Sequence, residues 1–551
     1  MCLTPLPFLV RFPHLLVVPH RFNMSGNKVM QHAQNLKFQR VKMREKSMKY
    51  VPGIVNLQVL GSGARGAPKS LYLFTDQSRY LFNCGEGTQR LAHEHKMKLA
   101  KLDSVFITQP VWENLGGLLG LALTIQDVGV PEINLHGPEG LEEIFVGTID
   151  LAFDSLLDCP SEDYLDSLLG ESIFSQHQSC AMNEDDKAAL VAHFSPHHIM
   201  SHPRYKEFMS KFPSTTQHLV LNESNECQGS TAVHKIQCKL NILDKEIFPM
   251  LSDSGFPLLD KGNPDTCILL DCGEGTYSQL VRLYGSAVDT LLSQLSAVYI
   301  SHLHADHHLG LFSVIKAWSR VKPECKLTLL APRQIITWLS VYAARFESVG
   351  HLYRLVPLSL FEQHGQNRPA LDPDTVQILS SLGLESMTTC LVRHCPNAFG
   401  VTMVTKSGHK ITYSGDTMPC DALVSIGKNS DLLIHEATHE DELEKEAALK
   451  MHSTVSQAIR IGREMRAKFV LLTHFSQRYA KLPRLNKDLS ENVGIAFDNM
   501  RISLANLPKL KLFYPALKAM FAEYQDEIEN RAIRRNLKQE VKRKASLESK
   551  S

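Results

Sequence analysis

The sequence predicts an α/β protein built from two copies of one fold in tandem, and three observations carry the prediction. Leu81-Phe-Asn-Cys-Gly-Glu-Gly-Thr-Gln89 recurs as Leu270-Asp-Cys-Gly-Glu-Gly-Thr-Tyr277, and Val105-Phe-Ile-Thr-Gln-Pro-Val-Trp-Glu-Asn-Leu-Gly-Gly-Leu118 recurs as Val298-Tyr-Ile-Ser-His-Leu-His-Ala-Asp-His-His-Leu-Gly-Leu311. In each copy a short β-branched or aromatic run precedes the glycine motif and an amphipathic stretch follows it, so strands alternate with helices. The 551 residues are 43% hydrophobic, enough apolar material for one large or two ordinary domains.

The elements follow in chain order. Residues 1–44 contain no Asp or Glu but carry Arg11, Arg21, Lys28, Lys37, Arg40, Lys42 and Arg44, the acid-poor bias of a mitochondrial transit peptide. Residues 1–48 therefore read as a transit segment or a disordered leader. A secretory signal fits less well, because Arg11 and His14 interrupt the apolar stretch, and Met24 offers an internal start that would leave a nuclear or cytosolic pool. Pro5, Pro7 and Pro13 break the same stretch, so nothing approaches the roughly 18–20 apolar residues of a membrane span.

The first copy occupies 49–250 and opens with a strand and glycine-rich loop, Leu57–Ala64. The second occupies 251–520, and 521–551 reads as a charged helix fading into a tail, with a basic RNA-holding or nuclear-addressing tail as the sharper alternative. Twelve cysteines between Cys2 and Cys420, without a CxxC, point to buried thiols in a reducing compartment and not to a disulfide framework. The 59 Lys+Arg against 58 Asp+Glu leave no global basic field, so any grip on nucleic acid must come from local patches.

The two copies differ where chemistry would sit. The second carries His302, His304, Asp306 and His307 after the strand Ala297–Ile300; the first has Gln109, Val111, Glu113 and Asn114 at the matching places. Alternate histidines in an extended loop point the same way and can share one metal, while Asp306 and His307 can face a second as the loop turns. His394, Asp416 and His474 each end or follow an apolar strand, the end at which α/β folds place their sites. A carboxylate such as Asp416 can bridge two metals, which a neutral imidazole cannot. The first copy is expected to be structural or substrate-holding.

His302-Leu-His-Ala-Asp-His307 with His394, Asp416 and His474 resembles the metallo-β-lactamase superfamily, whose fold is a four-layer αββα sandwich that binds two zinc ions. Ile434-His-Glu-Ala-Thr438 and His452-Ser-Thr454 narrow the resemblance to ribonuclease Z, the tRNA 3′-processing endonucleases, and a degenerate copy fused to an intact one resembles their long form. The likeness runs from about Asn56 to Ala522.

It implies tandem αββα sandwiches, the first degenerate and the second metal-binding, with two Zn2+ per chain; Mn2+ or Co2+ suits the same ligands. By that resemblance His302, His304 and His394 hold one zinc, Asp306, His307 and His474 the other, and Asp416 bridges. Asp306, Glu436 and His452 would be catalytic: Asp306 takes the nucleophile's proton, and Glu436 orients His452 as proton donor to the leaving oxygen. The implied activity removes the 3′ trailer from precursor tRNA and leaves a 3′-hydroxyl. Expected partners are precursor tRNA and no membrane, with mitochondrial RNA-processing proteins and a second copy of the chain as further candidates. A catalytically impaired isoform or paralogue acting as a binding protein, and a related two-zinc phosphodiesterase, are the alternatives.

Asp271-Cys-Gly-Glu-Gly-Thr276 reads as tight glycine turns lining the site, and its recurrence in both copies argues for architecture. Arg478 and Lys481 are either phosphate contacts or surface charges. Two departures from the family pattern stand out. Only the poor match Ile247–Phe256 stands where the second copy should open with a strand and a Gly-Ser turn, which would expose a sheet edge; and Gly140–Ala192 is acidic where a basic tRNA-clamping arm is expected.

Overall fold

The structure is a computed structural model that describes residues 55–522 except 76–77, 128–132, 139–140, 142–157, 183–186, 227–230, 252–265, 364–370 and 477–491. The leader, nearly all of the charged tail, Arg478 and Lys481 lie outside the described residues.

In the first half, β1 (Asn56–Ser62), β2 (Lys69–Phe74), β3 (Arg79–Phe82), β4 (Ser104–Phe106) and β5 (Asn134–His136) form one sheet in that order. Its first three strands are antiparallel and its last three parallel. A separate parallel pair, β6 (Leu190–His193) and β7 (Gln217–Val220), packs on it through a small core of Leu71, Phe194 and Leu221.

The second half is larger. Strands β8 (Cys267–Leu270), β9 (Leu295–Tyr299), β10 (Leu327–Ala331) and β11 (Tyr353–Pro357) form a parallel sheet ordered β11-β10-β9-β8. A six-stranded sheet follows: β12 (Leu384–Leu391), β13 (Phe399–Thr405), β14 (Lys410–Tyr413), β15 (Leu432–Glu436), β16 (Phe469–Thr473) and β17 (Val493–Ile495). The β-branched and apolar runs of β12 and β13 suit a pleated surface buried against a second sheet. Ala297, Tyr299, Leu330 and Val356 of one sheet meet Met387, Phe399, Val401 and Met403 of the other. Helices cover both outer faces, so the half is an αββα sandwich.

Helix placement follows local chemistry. Each copy's glycine motif starts a helix, α1 (Thr88–Glu94) in the first and α3 (Thr276–Tyr284) in the second, with Gly87 and Gly275 left-handed at φ 83° and 84°, a conformation that glycine adopts without strain. The turn α4 (Ala305–His308) and helix α5 (Leu311–Val321) follow β9. Helix α6 (Val455–Met465) starts at a capping box in which Thr454 and Gln457 exchange side-chain and backbone bonds, and it buries Val455, Ala458, Ile459, Gly462 and Met465 on one stripe.

The halves share a core: Trp112, Leu115 and Leu118 pack with Leu311, Phe312 and Ile315, and the Trp112 ring lies 4.9 Å from Phe312 and 5.4 Å from Tyr342. Helix α2 (Thr231–Asn241), with Ile247 and Phe248 after it, packs on Leu432, Phe469 and Leu471 of the six-stranded sheet. Chain before residue 250 thus already covers the second half. Strand β8 ends its sheet, with no partner on its far side among the described residues, whereas its counterpart β3 is flanked by β2 and β4.

Candidate metal centre and catalytic pair

The predicted ligands arrive from four strand ends and converge. His302 and His304 come from the loop after β9, Asp306 and His307 from α4, His394 from the loop after β12, Asp416 from the end of β14 and His474 from the end of β16. His302 Nε2 and His394 Nε2 each lie 3.0 Å from His304 Nδ1. Tetrahedral zinc with Zn–N of about 2.0–2.1 Å separates its nitrogens by roughly 3.3 Å, so this set already has nearly the spacing of a ligand triad. The second set is looser: Asp306 Oδ2 is 3.7 Å from His307 Nε2 and 3.5 Å from His474 Nε2.

Asp416 Oδ2 sits between the sets, 3.2 Å from His307 Nε2, 3.8 Å from His302 Nε2 and 3.9 Å from His394 Nε2. A single oxygen therefore faces both sets, and Oδ1 lies 3.5 Å from His474 Nδ1. Despite that approach, His307 Nε2 is buried without hydrogen-bond geometry to any partner. An orphaned buried imidazole nitrogen, two further imidazoles and two carboxylates suit a divalent cation with mixed N/O preference.

The far nitrogens are held. His302 Nδ1 meets Ser301 Oγ at 3.0 Å, His307 Nδ1 meets Asp271 Oδ2 at 2.7 Å, His394 Nδ1 meets the Met451 carbonyl at 2.8 Å and His474 Nδ1 meets Thr438 Oγ1 at 2.8 Å. Such contacts fix the tautomer and the ring plane of a ligating histidine. Asp271 also accepts from Ser301 N–H, Ser301 Oγ and Tyr413 Oη at 2.6, 2.8 and 2.6 Å. Sequence reasoning missed it, although the signal was present: Asn83 replaces it in the copy that has lost its ligands.

The charges show what the site favours. Burial opposes a charged His307, but Asp271 and Asp416 outweigh it and raise its pKa to about 11. Burial and the neighbouring imidazoles push His302 down to about 2. Burial also works against ionised Asp306 and Asp416, yet His474 and His307 hold both well below the ordinary carboxylate range. Positive charge is stabilised around the two carboxylates.

Beside this centre, Glu436 ends β15 and is 1% exposed. Its Oε1 lies 2.9 Å from His452 Nδ1 and accepts from Thr417 N–H at 2.9 Å, and its Oε2 accepts from Thr438 N–H at 3.1 Å and Thr438 Oγ1 at 2.6 Å. Burial alone would raise its pKa, but these bonds, led by His452, hold it below the ordinary range. An ionised Glu436 fixes the proton on His452 Nδ1 and leaves Nε2 as the exchanging atom. The capping box that starts α6 two residues later fixes the chain beside His452.

Every possible metal-binding group among the described residues lies in the second half. Cys395 also reaches the His302–His304–His394 set, within 4.8 Å. In the first half, Asn83, Asn114 and Asp158 each hydrogen-bond Thr108 Oγ1, and Glu113 pairs with Lys316 at 2.9 Å.

Comparisons with known proteins bear on the family. Residues 64–117 match a family described as tRNase Z endonuclease, and 266–475 match the beta-lactamase superfamily domain. The Drosophila melanogaster protein named Ribonuclease Z, mitochondrial is 36% identical, with 91% of this chain and 94% of that protein covered; the human protein named Zinc phosphodiesterase ELAC protein 2 is 30% identical, with 86% and 87% covered. The alignment with the Drosophila protein spans 726 residues against a chain of 551, so that relative carries segments this chain lacks. A crystal structure of a long-form RNase Z from yeast has the same fold, with TM-score 0.64 at 17% identity, covering 85% of this chain and 100% of that one. On sequence, on fold and on the residues gathered at its strand ends, the chain belongs to the ribonuclease Z family.

Proposed function

We propose that the chain is a zinc-dependent endoribonuclease that removes the 3′ trailer from precursor tRNA and leaves a 3′-hydroxyl on the tRNA body. The observation that carries this reading is the pairing of two ligand sets around Asp416 with the Glu436–His452 couple beside them. His302, His304 and His394 would hold one zinc, Asp306, His307 and His474 the second, with Asp416 shared. Two zinc ions, when bound, supply Lewis acidity toward the scissile phosphate and lower the pKa of the attacking water.

The chain's own groups supply the rest. Asp306, which faces His474, would take the proton of the attacking water. Glu436 holds the proton on His452 Nδ1, and His452 Nε2 delivers another to the departing 3′-oxygen. Ser301, Asp271, Thr438 and the Met451 carbonyl keep the histidines in their ligating tautomers. The substrate class comes from the family and from the named relatives. The basic, acid-free leader and the Drosophila relative's name support a mitochondrial address, and Met24 would provide a nuclear or cytosolic pool.

That β8 has no partner on its far side among the described residues favours the second reading, a fold that holds metal and has lost productive docking. Incubation of the zinc-loaded chain with a 3′-extended precursor tRNA separates the two. A metal-dependent cut after the discriminator base is expected; bound zinc and hydrolysis of a small chromogenic phosphodiester without that cut would move the assignment to the second reading.

A further inference from the structure

Glu86 belongs to the first half, but its carboxylate works inside the second. It is 8% exposed; Oε2 accepts from Gly275 N–H at 2.9 Å and Oε1 from the Ser313 hydroxyl at 2.5 Å, with the Trp112 indole N–H as a third donor. Gly275 caps α3 and closes the loop from Asp271, and Ser313 lies in the first turn of α5. These two attachments flank the turn that carries His302 to His308.

The loop and that turn are joined without slack. Cys272 N–H donates to the His307 carbonyl at 2.8 Å, and Gly310 N–H donates to the Cys272 carbonyl at 2.9 Å. A Cβ on Gly273 would stand 2.1 Å from the Asp306 carbonyl oxygen. Any shift of the Asp271–Gly275 loop therefore moves Asp271 against His307 and pushes on the backbone of Asp306.

We propose that Glu86 is a positioning residue for the metal-binding turn: by tying Gly275 to Ser313 across the seam between the halves, it holds Asp271, Asp306 and His307 in register. The mirror contact exists, since Glu274 accepts from Gly87 N–H at 2.8 Å and Gln89 Nε2 at 3.2 Å. That contact serves the turn holding Gln109 and Asn114, which carries no ligand set. Only one of the two clasps has a metal turn behind it, and it gives the degenerate half a task that survives the loss of its own ligands.

The inference rests on reading residues 302–308 as a metal-binding turn. Its test uses the full chain as wild type, Glu86→Ala, Glu86→Gln, Ser313→Ala and Arg65→Ala. Arg65 also crosses the seam, to Tyr277 Oη and Asp289 at 2.9 Å each, but touches neither the loop nor α5. Zinc affinity is read by chelator competition, site geometry by the Co2+ absorption spectrum, and turnover as kcat and KM separately.

Expected for Glu86→Ala are zinc binding weakened by about tenfold or more, an altered Co2+ spectrum and a lower kcat with KM unchanged. Glu86→Gln, which keeps an acceptor for Gly275 but turns an amide N–H toward other donors, and Ser313→Ala should fall between it and wild type, while Arg65→Ala keeps wild-type affinity. Wild-type zinc affinity and Co2+ spectrum in a folded Glu86→Ala would overturn the proposal. If that variant does not fold, wild-type values in both Glu86→Gln and Ser313→Ala overturn it instead. Absence of zinc from the wild type would overturn the metal-turn reading itself, a separate result.

Discussion

The turn after β4 and the turn after β9 are one backbone with two side-chain sets. Asn83 and Asp271 share φ near 55–59°; Cys84 N–H donates to the Asn114 carbonyl as Cys272 N–H donates to that of His307; Cβ atoms on Gly85 and Gly273 would stand 2.2 and 2.1 Å from the carbonyl oxygens of Glu113 and Asp306. On this scaffold the second half carries His302, His304, Asp306 and His307, and the first carries Gln109, Val111, Glu113 and Asn114. Loop geometry therefore does not make the site; ligand chemistry does. The geometry outlasts the chemistry because its glycines and its glutamate also join the halves.

The comparison breaks most severely at the ligands. Asp306→Ala should abolish cleavage of precursor tRNA while leaving tRNA affinity largely intact, checked by single-turnover kinetics beside a filter-binding assay; full cleavage would remove the two-metal assignment. His452→Ala should slow cleavage by roughly 10²–10⁴-fold, the contribution of a positioned proton donor, with zinc retained on elemental analysis. Zinc lost along with the rate would make its role structural.

Asp271→Asn sharpens the comparison, because it gives the second half the first half's residue. An asparagine can still meet His307 Nδ1 but no longer balances an imidazolium or strengthens a ligand, so zinc affinity or rate should fall by about 10–100-fold. Glu113→Ala should leave the rate almost unchanged. It removes one partner of Lys316, which keeps Glu347 at 2.5 Å, and the pair is partly exposed, so the stability loss should stay below about 1 kcal/mol in a denaturant titration.

The smallest expected effect is on pH dependence. Burial lifts the Glu86 pKa to about 7 from an ordinary value of 4.5, against the pull of its three donors. A carboxyl with a raised folded-state pKa contributes stability that is full below 4.5 and lost as pH rises through about 7. Wild type should therefore gain stability relative to Glu86→Gln as pH falls across that window, and a pH-independent difference would contradict the dry environment assigned to Glu86.

Legibility in the sequence followed the range of the interaction. The seven proposed ligands stood out because histidines and carboxylates gather after apolar strands, Glu436 and His452 were picked out through the family resemblance, and the tandem repeat exposed the fold class. Asp271 was half readable, through its exchange for Asn83. Glu86 was not: its partner Gly275 lies 189 residues away, and a glutamate inside a glycine turn looks the same whether it faces water or another half. That the first half's second sheet has two strands among the described residues, β6 and β7, also escaped reading, since short strands carry weak periodicity and tertiary packing decides them.

The most direct test of the contrast between the halves is cleavage of a 3′-extended precursor tRNA by Asp306→Ala and Glu113→Ala side by side, the same backbone position in each copy. The account predicts no cut with the first and a wild-type cut, mapped after the discriminator base, with the second. Comparable losses in both, or a cut that survives Asp306→Ala, would contradict it.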